Sequence, residues 1–281
     1  TKLVNLTITG GVADATATSD TLAMGTIAGT TALASINASS ADVGIDLSGL
    51  AVLKDGATVT LGNGADSLKW DVAKAKSAVL DGGAGTDTLY LSGTQNVGQA
   101  VVDLSSTTDQ VTQTNGEANS AVQKNFENVN ASGLSGNGAT ITGSSGANTI
   151  VGSGSADVIT AGLGADVITG GAGTDVVDLT EASGTDVDTV VFADASADVV
   201  KGFSSAGTDL VKLNAAAAGL GLTNGTSTNA YLEIGTAAAD AAAASGANDT
   251  VVELTQAVSA AAGTAIDAYQ ANQNAPTLQA M

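Results

Sequence analysis

Cut into nines, residues 143–178 stack as GSSGANTIV, GSGSADVIT, AGLGADVIT and GGAGTDVVD. The sixth column holds Asn148, Asp157, Asp166 and Asp175; the eighth holds Ile150, Ile159, Ile168 and Val177. This period constrains the fold more than any bulk property of the chain. The first six residues of each copy are rich in glycine, which tolerates the positive φ of tight turns. The last three make a minimal strand with one side chain pointing inward. A turn and a strand carry the chain across one layer, and the next copy brings it back. Two copies therefore close a coil of eighteen residues, and the coils stack with parallel strands. The expected fold class is all-β, a parallel β-roll or β-solenoid.

The same spacing sorts the carboxylates. Asp157 and Asp175 fall on one edge of the coil, and Asn148 and Asp166 on the other. Stacked strands lie about 4.8 Å apart, a distance at which two carboxylates disfavour joint ionisation unless a cation sits between them. Ca²⁺ takes six to eight oxygens at about 2.3–2.6 Å. Aspartates of stacked turns, with backbone carbonyls of the glycine turns, can supply them. Mg²⁺ is smaller and holds its waters, so it suits the spacing less well. Binding should be coupled to folding, because the site hardly exists in the unfolded chain.

Two outlying copies precede the tandem run. "LGNGADSLK" spans Leu61–Lys69 and "GGAGTDTLY" spans Gly82–Tyr90, placing Asp66 and Asp87 at the sixth position, 21 residues apart. The expected calcium set is thus Asp66, Asp87, Asn148, Asp157, Asp166 and Asp175, with turn carbonyls from Gly82, Gly85, Gly164 and Gly173. Asp186, Asp188, Asp198 and Asp209 read as solvated turn residues, with some capacity to hold a terminal ion.

Elsewhere the pattern is looser. Short alternating runs in 1–61 read as strands, and "VLKDGATVTL" reads as a hairpin around Asp55-Gly56. A short helix is expected over Asp71–Ala78 and a helical turn around Asn119–Phe126. "ADVVKGFSSAGTDLVKL" reads as two strands around a turn. In the tail, "YLEIG" and "TVVEL" fit strands, while Thr250-x-x-Glu253 equally fits a capping box before a helix over Val251–Ala262. The expected organisation is a β-rich region over 1–138 with the outlying pair at 61–90, a roll with closing strands over 139–213, and an Ala-rich cap, assembly or secretion region over 214–281.

Composition narrows the function classes. A formal charge of −20, with eight Lys and no Arg, repels nucleic acid and leaves cations as the natural partner. Absence of Cys and His removes disulfides and Cys/His zinc sites. It also removes the commonest general acid–base, so no enzyme is expected. No membrane span is expected, because no run of eighteen apolar residues occurs. Trp70, the only tryptophan, is expected to be a packing anchor.

The nonapeptides resemble those of the RTX (repeats-in-toxin) family, and "DVVKGFSSAGTDLVKL" is similar to the segment that follows the roll in many members. "NFENVNASGLSGNGATITGSSGANTI" is similar to segments of S-layer-like RTX proteins. The resemblance implies a calcium-loaded β-roll, exported in one step by type I secretion with a signal near the C-terminus. That route fits a chain showing no charged-then-apolar leader. It further implies a structural protein that self-assembles into a lattice or filament at the cell surface, with a cell-surface glycan or lipopolysaccharide as a further partner. The alternative is a C-terminal module of an adhesin or other large secreted protein, and after that a fragment of an RTX hydrolase.

Overall fold

The computed structural model describes residues 5–9, 21–24, 33–50, 53–181, 186–194, 196, 198–203, 209–214, 231–235, 250–254 and 279–280. These residues hold strands and turns and no helix, as the nine-residue period requires. Alternate strands go to opposite walls of a roll. One wall is a ten-stranded sheet of β2 (Thr21–Ala23), β4 (Gly44–Leu47), β6 (Ser67–Asp71), β8 (Thr88–Gln95), β13 (Asn128–Gly136), β15 (Thr149–Val151), β17 (Val167–Thr169), β19 (Thr189–Phe192), β21 (Leu210–Asn214) and β22 (Tyr231–Gly235). The other wall is built from two sheets in succession. The first contains β1 (Asn5–Thr9), β3 (Ser35–Ser40), β5 (Thr58–Thr60), β7 (Val79–Asp81) and β12 (Val122–Lys124). The second contains β9 (Ala100–Asp103), β10 (Val111–Thr114), β11 (Glu117–Ala118), β14 (Ala139–Thr142), β16 (Val158–Thr160), β18 (Val176–Asp178), β20 (Val199–Phe203), β23 (Thr250–Leu254) and β24 (Gln279–Ala280).

Register is set by one inward aliphatic side chain per strand. Along the ten-stranded wall Leu47, Leu68, Leu89, Val129, Ile150, Ile168 and Val190 stack in a single row. Opposite them Ile141, Ile159, Val177 and Val200 stack likewise. All are buried. A one-residue slip would turn a whole row outward, which fixes the pairing. Ile150 pairs with Ile168 and Ile159 with Val177, which is the eighteen-residue coil read from the repeat. Leu68 pairs with Leu89, so the outlying copies also stack directly, in a coil lengthened to 21 residues. The extra residues sit in the turn between β6 and β7.

Several local expectations are corrected. Residues 72–78 form turns rather than a helix, because Trp70 is fully buried and its Nε1 donates to the Ala75 carbonyl at 2.9 Å, closing a tight bend. The segment around Asn119–Phe126 contributes β12, whose amides pair with β7. Asp55-Gly56 does turn the chain, with Gly56 at φ 74°, but no hairpin results. Instead β5 pairs in parallel with β3 and β7, since each strand's neighbour comes from the next coil. "YLEIG" and "TVVEL" are strands β22 and β23, so no helix starts at Val251; residues 255–262 lie outside the described residues, as do 204–208 between β20 and β21.

The wall changes sheet at residues 96–126, where β9, β10 and β11 are inserted and β10 runs antiparallel to β9 and to β11. Gln110 joins the two sheets: its Nε2 donates to the carbonyls of Leu104 and Phe126 and its Oε1 accepts the Phe126 amide.

Truncating an inward rung should cost far more than truncating an outward one. Ile159→Ala is expected to destabilise the folded chain by about 3 kcal/mol, whereas exposed Val167→Ala should stay within about 0.5 kcal/mol. Denaturant unfolding in saturating calcium measures both. Equal losses would contradict the assigned register.

Candidate metal centre

Each sixth-position residue immediately precedes a strand, so the register of the strands also sets the register of the carboxylates. On one edge of the roll lie Asp66, Asp87, Glu127, Asn148, Asp166, Asp188 and Asp209, one per coil. On the other lie Asp157, Asp175 and Asp198. The aspartates are at most 4% exposed.

Burial of a carboxylate needs a compensating donor, and the backbone of the preceding coil supplies it. The Asp66 amide donates to Asp87 Oδ1 at 2.8 Å, the Asp157 amide to Asp175 Oδ1 at 2.9 Å, and the Asp166 amide to Asp188 Oδ1 at 2.9 Å. The same bond links Ile45 to Asp66, Ala139 to Asp157, Asn148 to Asp166, Asp175 to Asp198 and Asp188 to Asp209. Oδ1 is thus a structural acceptor in every aspartate rung.

The second oxygen divides the turns into two kinds. In the turns ending at Asp87, Asp166 and Asp175, the second residue is Gly83, Gly162 or Gly171, with φ of 96°, 107° and 108°. Asp87, Asp166 and Asp175 each leave Oδ2 buried without a hydrogen-bond partner. In the turns ending at Asn148 and Asp157 the second residue is Ser144 or Ser153. The Ser153 amide donates to Asp157 Oδ2 at 2.6 Å, and its hydroxyl reaches both carboxylate oxygens. Ser144 satisfies Asn148 Oδ1 in the same way, and Asn148 Nδ2 donates to the Glu127 carbonyl at 2.6 Å. Asp66 is closed too, its Oδ2 accepting the Gly62 amide at 3.1 Å. Three turns are therefore open and three closed.

The turn glycines are sites of close approach. A Cβ on Gly82 would lie 2.0 Å from the Asn125 carbonyl oxygen and 2.9 Å from Asp87 Oδ2. A Cβ on Gly170 would lie 2.3 Å from Asp175 Oδ2. Gly85, Gly164 and Gly173 have φ of 134°, 99° and 115° and pack on the backbone of the preceding coil.

Burial drives the protonation chemistry. It pushes Asp87, Asp166 and Asp175 up to about 7, against the pull of the amide donors and with help from neighbouring carboxylates. Asp188 and Asp198 rise to about 6 for the same first cause. Asp66 and Asp157 are raised as well, again by burial, and their additional donors oppose it.

These groups fit a calcium ion. A doubly charged cation supplies what the orphaned, buried Oδ2 atoms lack, and the glycine cradle leaves room for carbonyl ligands beside them. No three carboxylates converge among the described residues, so a bound ion would draw its remaining oxygens from backbone carbonyls and water.

Several rungs escaped the sequence. Asp188, Asp198 and Asp209 are buried rather than solvated; the legible signal was Asp followed two residues later by Val190, Val200 and Val211, as in the repeats. Glu127 had no such signal of its own residue type.

The family model for the RTX calcium-binding nonapeptide repeat (4 copies) matches residues 79–96 and 142–177. The chain thus carries calcium-binding repeats, of a structural type typical of secreted proteins. No curated protein and no solved structure matches it. No helix among the described residues is long and apolar enough to cross a membrane.

The raised carboxylates fix the sign of the pH dependence. Without metal the fold holds more protons than the unfolded chain between about pH 4 and 7, so its stability falls as pH rises through that window. With calcium saturating, the trend reverses, because the ligands must be deprotonated. Thermal unfolding in chelator and in calcium at pH 5 and 8 measures both slopes; parallel slopes would refute the coupling.

Proposed function

We propose that calcium binds at the open turns of Asp87, Asp166 and Asp175, and that the roll so formed is a structural, non-enzymatic subunit that assembles outside the cell as an S-layer or matrix fibre. Asp66, Asn148 and Asp157 are the neighbouring rungs, with their second acceptor or donor already engaged. Gly82, Gly85, Gly164 and Gly173 hold the backbone close enough for carbonyls to join.

The observation that carries this reading is the division of labour between edges and faces. Eight aspartates lie buried on the edges, where they accept backbone amides rather than present a pair to substrate. The outward face of one wall carries instead the row Thr140, Val158, Val176 and Val199, in register over four coils. The other carries Val151, Thr169 and Val191. Val158 and Val167 are 44% and 41% exposed. Flat, uncharged rows on a strongly anionic chain suit face-to-face association, and calcium on the edges removes the charge that opposes it.

Negative-stain imaging with calcium and then with chelator tests the proposal. Sheets or filaments should form only with calcium, and the pair Val158→Lys and Val167→Lys should abolish them while leaving calcium binding unchanged. A monodisperse monomer at high concentration in millimolar calcium would refute assembly and favour a module of a larger adhesin.

A further inference from the structure

The open turn at 82–87 has an unusual upper neighbour. Every other open turn is followed, one coil on, by an aspartate within 23 residues. After Asp87 the chain leaves for the inserted strands, and the next rung arrives 40 residues later as Glu127.

The register shows that Glu127 stands at the sixth position. Thr88 pairs with Asn128, Leu89 with Val129 and Tyr90 with Asn130, which sets Asp87 opposite Glu127. The Asp87 amide donates to Glu127 Oε2 at 2.8 Å, the bond that Asp66, Asp157 and Asp166 make to an aspartate. The six-residue glycine turn is here compressed to Asn125-Phe126-Glu127, and Asn125 adopts φ 58° to allow it.

Two further oxygens face the same place. Asp87 is fully buried and its Oδ2 has no partner. That atom and the Asn125 carbonyl oxygen lie within 2.9 Å and 2.0 Å of where a Cβ on Gly82 would stand, so both border the same small space. Asn125 lies two residues before Glu127, so one short turn delivers a carbonyl and a carboxylate to the orphaned oxygen.

We infer that Asp87, Glu127 and the Asn125 carbonyl form a calcium site that lies half inside the repeats and half outside them, and that this ion fastens the end of the inserted segment to the roll. The inference rests on calcium occupying the 82–87 turn. Its consequence reaches β12: Lys124 and Asn125 are already held by Asp81, at 2.9 Å through Nζ and 2.7 Å through Nδ2. Calcium one step along the chain locks the return from β12 into β13.

The test compares wild type, Glu127→Gln, Asp87→Asn and the double variant, all as the full chain. Calcium per chain is counted by titration calorimetry. Glu127→Gln should lose one ion, or bind it about tenfold more weakly, because one charged oxygen ligand is removed. Asp87→Asn should lose the same ion, and the double variant no more than either. Trypsin gives an independent readout, since Lys124 is the only cleavage residue between Lys76 and Lys201. Cleavage there in calcium should rise in Glu127→Gln and return towards wild type in Glu127→Asp, which keeps the charge. Unchanged stoichiometry and affinity in Glu127→Gln, with one ion lost in Asp87→Asn, would overturn the inference alone. Unchanged binding in both would overturn the calcium assignment of the turn itself. Loss of several ions in both Glu127→Gln and Glu127→Asp would overturn the single-site reading.

Discussion

The bond from a backbone amide to the carboxylate of the next coil is what the rest of the structure depends on. It explains how a chain of charge −20 can bury its aspartates in line. One oxygen of each carboxylate is satisfied by protein, at a geometry that also fixes coil-to-coil spacing. The other oxygen is left to the turn. A charge half-compensated inside a roll is unstable by itself, so the sequence must add either a proton, a local donor or a cation.

All three solutions have a place in this chain. Ser153 and Ser144 supply local donors to Asp157 and Asn148, which makes those turns self-sufficient. Gly83, Gly162 and Gly171 adopt positive φ, and the carboxylates of their turns keep an open oxygen. Protons fill in where metal is absent, because burial pushes those same three aspartates up to about 7. The backbone at the second residue of the turn thus marks the two kinds: where it is a glycine at positive φ the carboxylate keeps an open oxygen, and where Ser144, Ser153 or Gly62 donates its amide the rung is closed.

Coil length is a separate variable. Rung spacings run from 18 to 23 residues, with one excursion of 40, yet the inward row continues through all of them. Length is absorbed in turns, as at 72–78, or in added strands, as at 96–126. Only the last residues of each turn, an acidic or amide side chain two residues before an aliphatic one, must keep their place. Glu127 shows that even residue type is negotiable when the turn geometry compensates.

The sequence by itself determined the roll between Gly143 and Asp178, the inward row of Ile150, Ile159, Ile168 and Val177, the two-edge placement of the carboxylates and the nature of the ion. These follow from a strict local period, which needs no knowledge of distant contacts. The tertiary structure alone decided that Asp66 and Asp87 stack despite a spacing that breaks the period, that Asp188, Asp198 and Asp209 are buried rungs, and that Asp71–Ala78 bends instead of coiling into a helix. It alone brought Glu127 to Asp87. For the rungs the reason is common: in a parallel roll each residue's partner is a whole coil away, and coil length is free; the bend at 71–78 is set locally, by the Trp70–Ala75 bond. Which carboxylate meets which is then fixed by strand pairing across the stack, and the order of residues along the chain does not encode it.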